Sequence, residues 1–151
     1  GIGPGILEMA RRQPQVGLAV SLHAATDEMR DVLVPVNRRY PLAELMAACR
    51  EYTAITNRRI TFEIALTKET SSQAVARDFV RLLKGQLAHV NLIPVNPVEG
   101  AGMVRPHPEE IKRFADILLG AGIPVSIREE RGTDINAACG QLRRRWKGEG
   151  R

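Results

Sequence analysis

Several common chemistries are excluded by what the sequence has little of. It has two cysteines, Cys49 and Cys139, far apart and outside any pair spaced like a zinc or redox motif, which rules out a disulfide framework. Aromatic side chains make up 4% of the chain, one Trp, two Tyr and three Phe, too few for a platform on which single-stranded bases stack. No window approaches the roughly 20 apolar residues that a membrane span needs. The longest apolar stretch, Val16 to Leu22, already contains Ser21 and runs into His23. The opening Gly-Ile-Gly-Pro-Gly has neither an initiator Met nor a basic segment leading into an apolar one. No secretory signal is visible, and the first residue reads as a cut rather than a start. No membrane partner and a cytoplasmic location are expected.

What is present describes one globular domain. The chain of 151 residues is 44% hydrophobic and 26% charged, a balance that supports a single core and argues against a disordered tail. Its net charge of +5 suits a polyanionic partner, because basic side chains that neutralise phosphates release counterions. Part of that charge crowds the end of the chain, where residues 143–151 form a basic tail holding Arg143, Arg144, Arg145, Lys147 and Arg151.

Four short apolar runs, Val16 to Leu22, Ile60 to Leu66, Val90 to Val95 and Ile123 to Ile127, read as buried strands. Between them, apolar residues recur at helical spacing around Leu42 to Tyr52, Val75 to Leu83 and Ile111 to Leu118. Pro41 and Pro108 suit helix entrances, and Gly85 with Gly120 or Gly122 suits exits. A further short helix is expected over Ile6 to Arg12. The order βαβαβαβ, with near-continuous apolar strands, implies parallel pairing, right-handed crossovers and an α/β fold. Such sheets carry their chemistry at the carboxyl ends of the strands.

Polar residues gather at those ends. His23 follows the first run, and a histidine there serves equally as base, donor or structural partner. Asn96, between Pro94 and Pro97, has a restricted backbone that either aims its amide at a ligand or caps its own loop. Lys68 follows the second run and would form imines only if desolvated. Glu63, inside that run, either faces inward and needs a partner or points outward. Cys49 lies on an apolar helical stripe and reads as a small buried hydrophobe. Cys139 lies beyond the last run beside Gly140, near Arg128 and Arg131, whose charge favours a thiolate, and near Glu129 and Glu130, which oppose it. It is a candidate nucleophile.

The segments Ser21-Leu22-His23-Ala24, Leu33-Val34-Pro35-Val36-Asn37, Phe62-Glu63, Asn91 to Pro97, Arg131-Gly132 and Asp134-Ile135-Asn136-Ala137-Ala138-Cys139-Gly140-Gln141-Leu142 occur here in order. Together they resemble the carboxyl-terminal half of the RlmN/Cfr radical SAM RNA methyltransferases. The resemblance covers nearly all of residues 1–151. It implies the C-terminal part of a partial, six-stranded, TIM-like (β/α) barrel. It also implies methylation of an adenine carbon in 23S rRNA, at C2 in the RlmN branch, which also modifies some tRNAs, or at C8 in the Cfr branch. By the same resemblance Ser21, Leu22, His23 and Asn96 contact S-adenosyl-L-methionine. Cys139 is implied as the methyl carrier, taking a methyl from a sulfonium and handing it on through a radical step. A 4Fe-4S cluster and a reducing electron donor such as flavodoxin are implied as well. The family's CxxxCxxC motif and the partner cysteine before it are absent, so the chain alone is expected to be inactive and to be half of a longer radical SAM core. A C8-methylating enzyme and a non-catalytic RNA-binding remnant are the alternatives.

Overall fold

A computed structural model describes residues 2–96 and 102–128. Helix α1 spans Gly3–Arg12, strand β1 Leu18–Ser21, helix α2 Asp27–Leu33 and a 3-10 turn Pro35–Arg38. Helix α3 (Leu42–Thr56), β2 (Ile60–Leu66), α4 (Gln73–Leu83), β3 (Ala88–Pro94), α5 (Pro108–Gly120) and β4 (Val125–Ile127) follow.

The local chemistry of the boundaries is legible. Thr26 Oγ1 accepts the Met29 N–H at 3.4 Å and Ser72 Oγ accepts that of Val75 at 3.3 Å, starting α2 and α4. Helix α5 opens on Pro108, and the Glu110 carboxylate reaches back to the His107 N–H at 2.7 Å. Asn57 ends α3 in the left-handed region at φ 53°, and Gly85 turns out of the segment after α4 at φ 77°.

All four strands are parallel, in the order β1-β2-β3-β4. Their burial alternates. In β2 the residues Ile60, Phe62, Ile64 and Leu66 are buried, and in β3 Ala88, Val90 and Leu92. These join Leu45, Cys49 and Tyr52 of α3, Phe79 of α4 and Phe114 of α5 in one core, in which Phe79 and Phe114 meet edge to face at 6.0 Å. Burying each large apolar side chain contributes about 1.5–3 kcal/mol, so this face holds the sheet to its helices. The opposite face, with Thr61, Glu63, His89 and Asn91, is half-buried. Of the two orientations open to Glu63, the outward one holds, since the helices cover the other face among the described residues.

The expected order of elements holds with two additions, since α2 and the 3-10 turn stand between β1 and α3. The second strand has the expected bounds, whereas β1 and β4 are each two residues shorter at their starts. No helix among the described residues is long and apolar enough to cross a membrane.

Candidate functional site

At the carboxyl end of β1 the chain leaves the sheet abruptly. The N–H groups of Leu22 and His23 both donate to the Glu63 carbonyl, at 2.9 and 3.2 Å. His23 takes the left-handed backbone conformation, φ 58°, which swings its imidazole over β2. There Nδ1 accepts the Ala65 N–H at 3.0 Å, the place that a carbonyl of a continuing strand would hold. An amide can only donate, so Nδ1 carries no proton and the neutral ring has its hydrogen on Nε2. Burial lowers the His23 pKa from the ordinary imidazole value, with Glu63 opposing and Arg30 reinforcing that shift. At neutral pH His23 is an uncharged donor.

Ser21 and Glu63 are register partners, and Ser21 Oγ lies 3.5 Å from a Glu63 carboxylate oxygen. The row continues through Asn91 of β3 to Ser126 of β4, whose hydroxyl donates to Asn91 Oδ1 at 3.3 Å. Glu63 thus faces away from the core, on the open face. Leu22 turns the other way. Its side chain is fully buried, its N–H is taken by Glu63 and its carbonyl by Arg30. Asn96 stands beyond the end of β3 at the same rim, and its Oδ1 accepts from Arg105 at 3.4 Å.

The remaining candidates separate clearly. Lys68 is exposed in the loop after β2, so nothing encloses an imine there. Cys49 is fully buried, and burial pushes its thiol up to about 11, as befits a structural cysteine. Cys139, Arg131 and the basic tail lie outside the described residues. No cluster of three or more His, Cys, Asp or Glu fit to hold a metal occurs among the described residues, and two cysteines cannot ligate a 4Fe-4S cluster. An open groove of about 620 Å³ between α1 and α3, lined by Leu7, Arg11, Glu44 and Glu51 among others, lies in the helical layer rather than at the rim.

Sequence reasoning missed a buried polar network beneath His23. Arg30, fully buried, donates from Nε to the Leu22 carbonyl at 3.0 Å, from Nη2 to the Ser21 carbonyl at 3.2 Å and from Nη1 to Asn37 Oδ1 at 2.7 Å. Asn37 Nδ2 donates to Asp27 and Asp31 at 2.9 and 2.8 Å. Asp27 also accepts the Leu42 N–H at 2.9 Å, and these bonds, with that of Leu42 foremost, hold its carboxyl below the usual range. The segment Leu33 to Asn37 carried the resemblance, but nothing in it pointed to Arg30.

No protein-family model matches the chain. Among curated proteins it is 60% identical over 149 residues to a probable dual-specificity RNA methyltransferase RlmN of Desulfitobacterium hafniense, covering 99% of this chain and 42% of that protein. It is 54% identical over 144 residues to the dual-specificity RNA methyltransferase RlmN of Rhodospirillum rubrum, covering 92% of this chain and 34% of that protein. The crystal structure of a radical SAM methyltransferase from Sphaerobacter thermophilus matches with a TM-score of 0.89 and 54% identity, over 93% of this chain and 42% of that one. A domain of a pyruvate-formate lyase-activating enzyme from Bacteroides vulgatus shares the fold alone, at a TM-score of 0.64 and 16% identity, over 83% of this chain and 74% of that one. The four parallel strands and their helices therefore have the α/β arrangement of part of a partial barrel, as in those radical SAM enzymes, and the chain spans about two-fifths of the length of the Desulfitobacterium hafniense relative.

Proposed function

We propose that this chain, homologous along its length to the RlmN-type dual-specificity RNA methyltransferases, forms the carboxyl-terminal part of a radical SAM enzyme that methylates adenine C2 in 23S rRNA and in tRNA. The observation that carries this reading is the identity of more than half of the residues across nearly the whole chain. The relatives carry the RlmN name, which favours C2 over C8 and an enzyme over a remnant.

The donor set at the rim fits S-adenosylmethionine. A sulfonium is a cation, and an uncharged imidazole beside the Glu63 carboxylate receives it without like-charge repulsion. His23 offers Nε2–H to an acceptor, Ser21 offers a hydroxyl, and Asn96 offers an amide to a polar end of the ligand. When bound, the cofactor supplies an electrophilic methyl group and, on reduction, the means to activate a carbon that is not nucleophilic. Cys139 is assigned as the methyl carrier; its sulfur must be a thiolate to attack, and Arg128 and Arg131 favour that form. The cysteines present do not fit the iron-sulfur cluster, so its ligands must come from outside these 151 residues. The basic balance of the chain suits an RNA substrate.

The test is the full-length protein with Cys139→Ala, assayed by mass spectrometry of nuclease-digested rRNA and tRNA. Loss of 2-methyladenosine with cofactor binding retained is the expected result. Retained 2-methyladenosine removes Cys139 from the mechanism, and 8-methyladenosine in the unaltered protein reassigns the branch.

A further inference from the structure

A guanidinium buried in a core is a costly choice of side chain, and an apolar residue of the same volume commonly gives a more stable core. Arg30 is such a group, and its three hydrogen bonds go to two backbone carbonyls and the Asn37 amide oxygen rather than to a carboxylate. Asp27 and Asp31 balance its charge from beyond Asn37, which accepts from the guanidinium and donates to both carboxylates. What the arrangement provides is geometry. The planar fork holds two consecutive carbonyls, Ser21 and Leu22, and draws both toward α2 where β1 ends. The next residue is His23, in a backbone conformation that a histidine seldom adopts, with Nδ1 seated on the Ala65 amide.

We propose that Arg30, locked by Asn37, is a positioning residue that holds His23 in its left-handed turn, so that Nδ1 stays on the Ala65 amide and Nε2–H faces the site. The inference rests on the reading of Ser21 and His23 as cofactor contacts, but its first readout is independent of any cofactor. Among the described residues, the charged groups acting on His23 are Glu63 from β2 and Arg30 from α2, and those acting on Arg30 in turn are Asp27, Asp31 and the Cys49 thiol. Arg30→Lys keeps the positive charge and loses the three-way fork, so a change in His23 then reports geometry rather than charge.

The experiment is nitrogen-15 NMR of the histidine rings in the labelled chain against pH, for the native sequence, Arg30→Lys and Asn37→Ser, with S-adenosylmethionine affinity measured on the full-length protein. The native His23 is expected as the pure Nε2–H tautomer, titrating below an ordinary imidazole. In Arg30→Lys the ring becomes a mixture of tautomers. Its midpoint rises because protonation no longer costs the bond to Ala65, and affinity falls about tenfold, or roughly 1.4 kcal/mol. Asn37→Ser, which leaves both carbonyl bonds in place, shows the same change more weakly. A folded Arg30→Lys chain with native His23 tautomer and titration overturns the proposal. So does failure of Arg30→Lys to fold together with an unchanged His23 in Asn37→Ser, which makes the network purely structural. If His23 responds to Arg30 while the full-length protein binds no S-adenosylmethionine, positioning stands and the cofactor reading fails.

Discussion

Asp27 offers the sharpest test of the energetics beneath the rim. Its Oδ1 accepts two hydrogen bonds, from the Leu42 N–H that opens α3 and from Asn37 Nδ2, each at 2.9 Å. A hydrogen bond to an ionised acceptor contributes about 1.5–3 kcal/mol net, and Asp27 is half-exposed, which places each bond at the low end. Asp27→Ala should therefore cost about 3 kcal/mol at pH 7, or roughly 10 °C in Tm for a domain of this size. The pH dependence distinguishes this from a mere cavity. The folded carboxyl is held below its unfolded value of about 3.9, so its stabilisation is fully present above that value and is lost as pH falls through the folded pKa. Urea unfolding followed by circular dichroism between pH 7 and pH 3 should show the two proteins converging in acid. Asp27→Asn, which keeps an acceptor but no charge, should lose about half as much, with little change over this range. A gap between native and Asp27→Ala proteins that is constant with pH, or below about 0.5 kcal/mol at pH 7, refutes the reasoning.

Cys49, fully buried with its thiol pushed up to about 11, should resist a maleimide in the folded Cys139→Ser chain at pH 7 and label rapidly once urea unfolds it; fast labelling of the folded chain would contradict its burial. Phe79→Ala should destabilise by about 3–5 kcal/mol by denaturant titration, because the ring is fully buried against Phe114, and Phe79→Leu should cost less by keeping most of the volume. Gly122→Ala should cost about 1 kcal/mol in the same assay through its backbone alone, since φ is 80° and a Cβ there would meet nothing within 4 Å.

The strands and the amphipathic helices were legible because each buries apolar residues at a simple period. In β2 the alternation of Ile60, Phe62, Ile64 and Leu66 with Thr61 and Glu63 shows in the bare sequence, and so do its bounds. Helix α2 was not legible. The one residue it buries is Arg30, so a seven-residue helix that turns a charge inward leaves no apolar stripe to find. The left-handed turn at His23 was equally hidden, since the two carbonyls before it are held by a side chain eight and nine residues away. His23 and Asn96 were singled out because chemistry in parallel sheets collects at strand ends and Ser21 through the resemblance, and all three lie at that rim. Leu22 shares the motif, yet its side chain belongs to the core. Cys139 depended on the resemblance and falls outside the described residues.

The strand order β1-β2-β3-β4 has a consequence for how the chain can be made. Each strand pairs with the one before it in sequence, and none must be inserted between two that are already joined. A polypeptide emerging from the ribosome can therefore add one strand and its covering helix at a time, each arrival closing the edge left by the last. Every stage of that growth presents a single fresh edge on the carboxyl side. Assembly runs in the direction of translation, and that advancing border is renewed at every step, an edge on which a neighbouring nascent chain can pair prematurely.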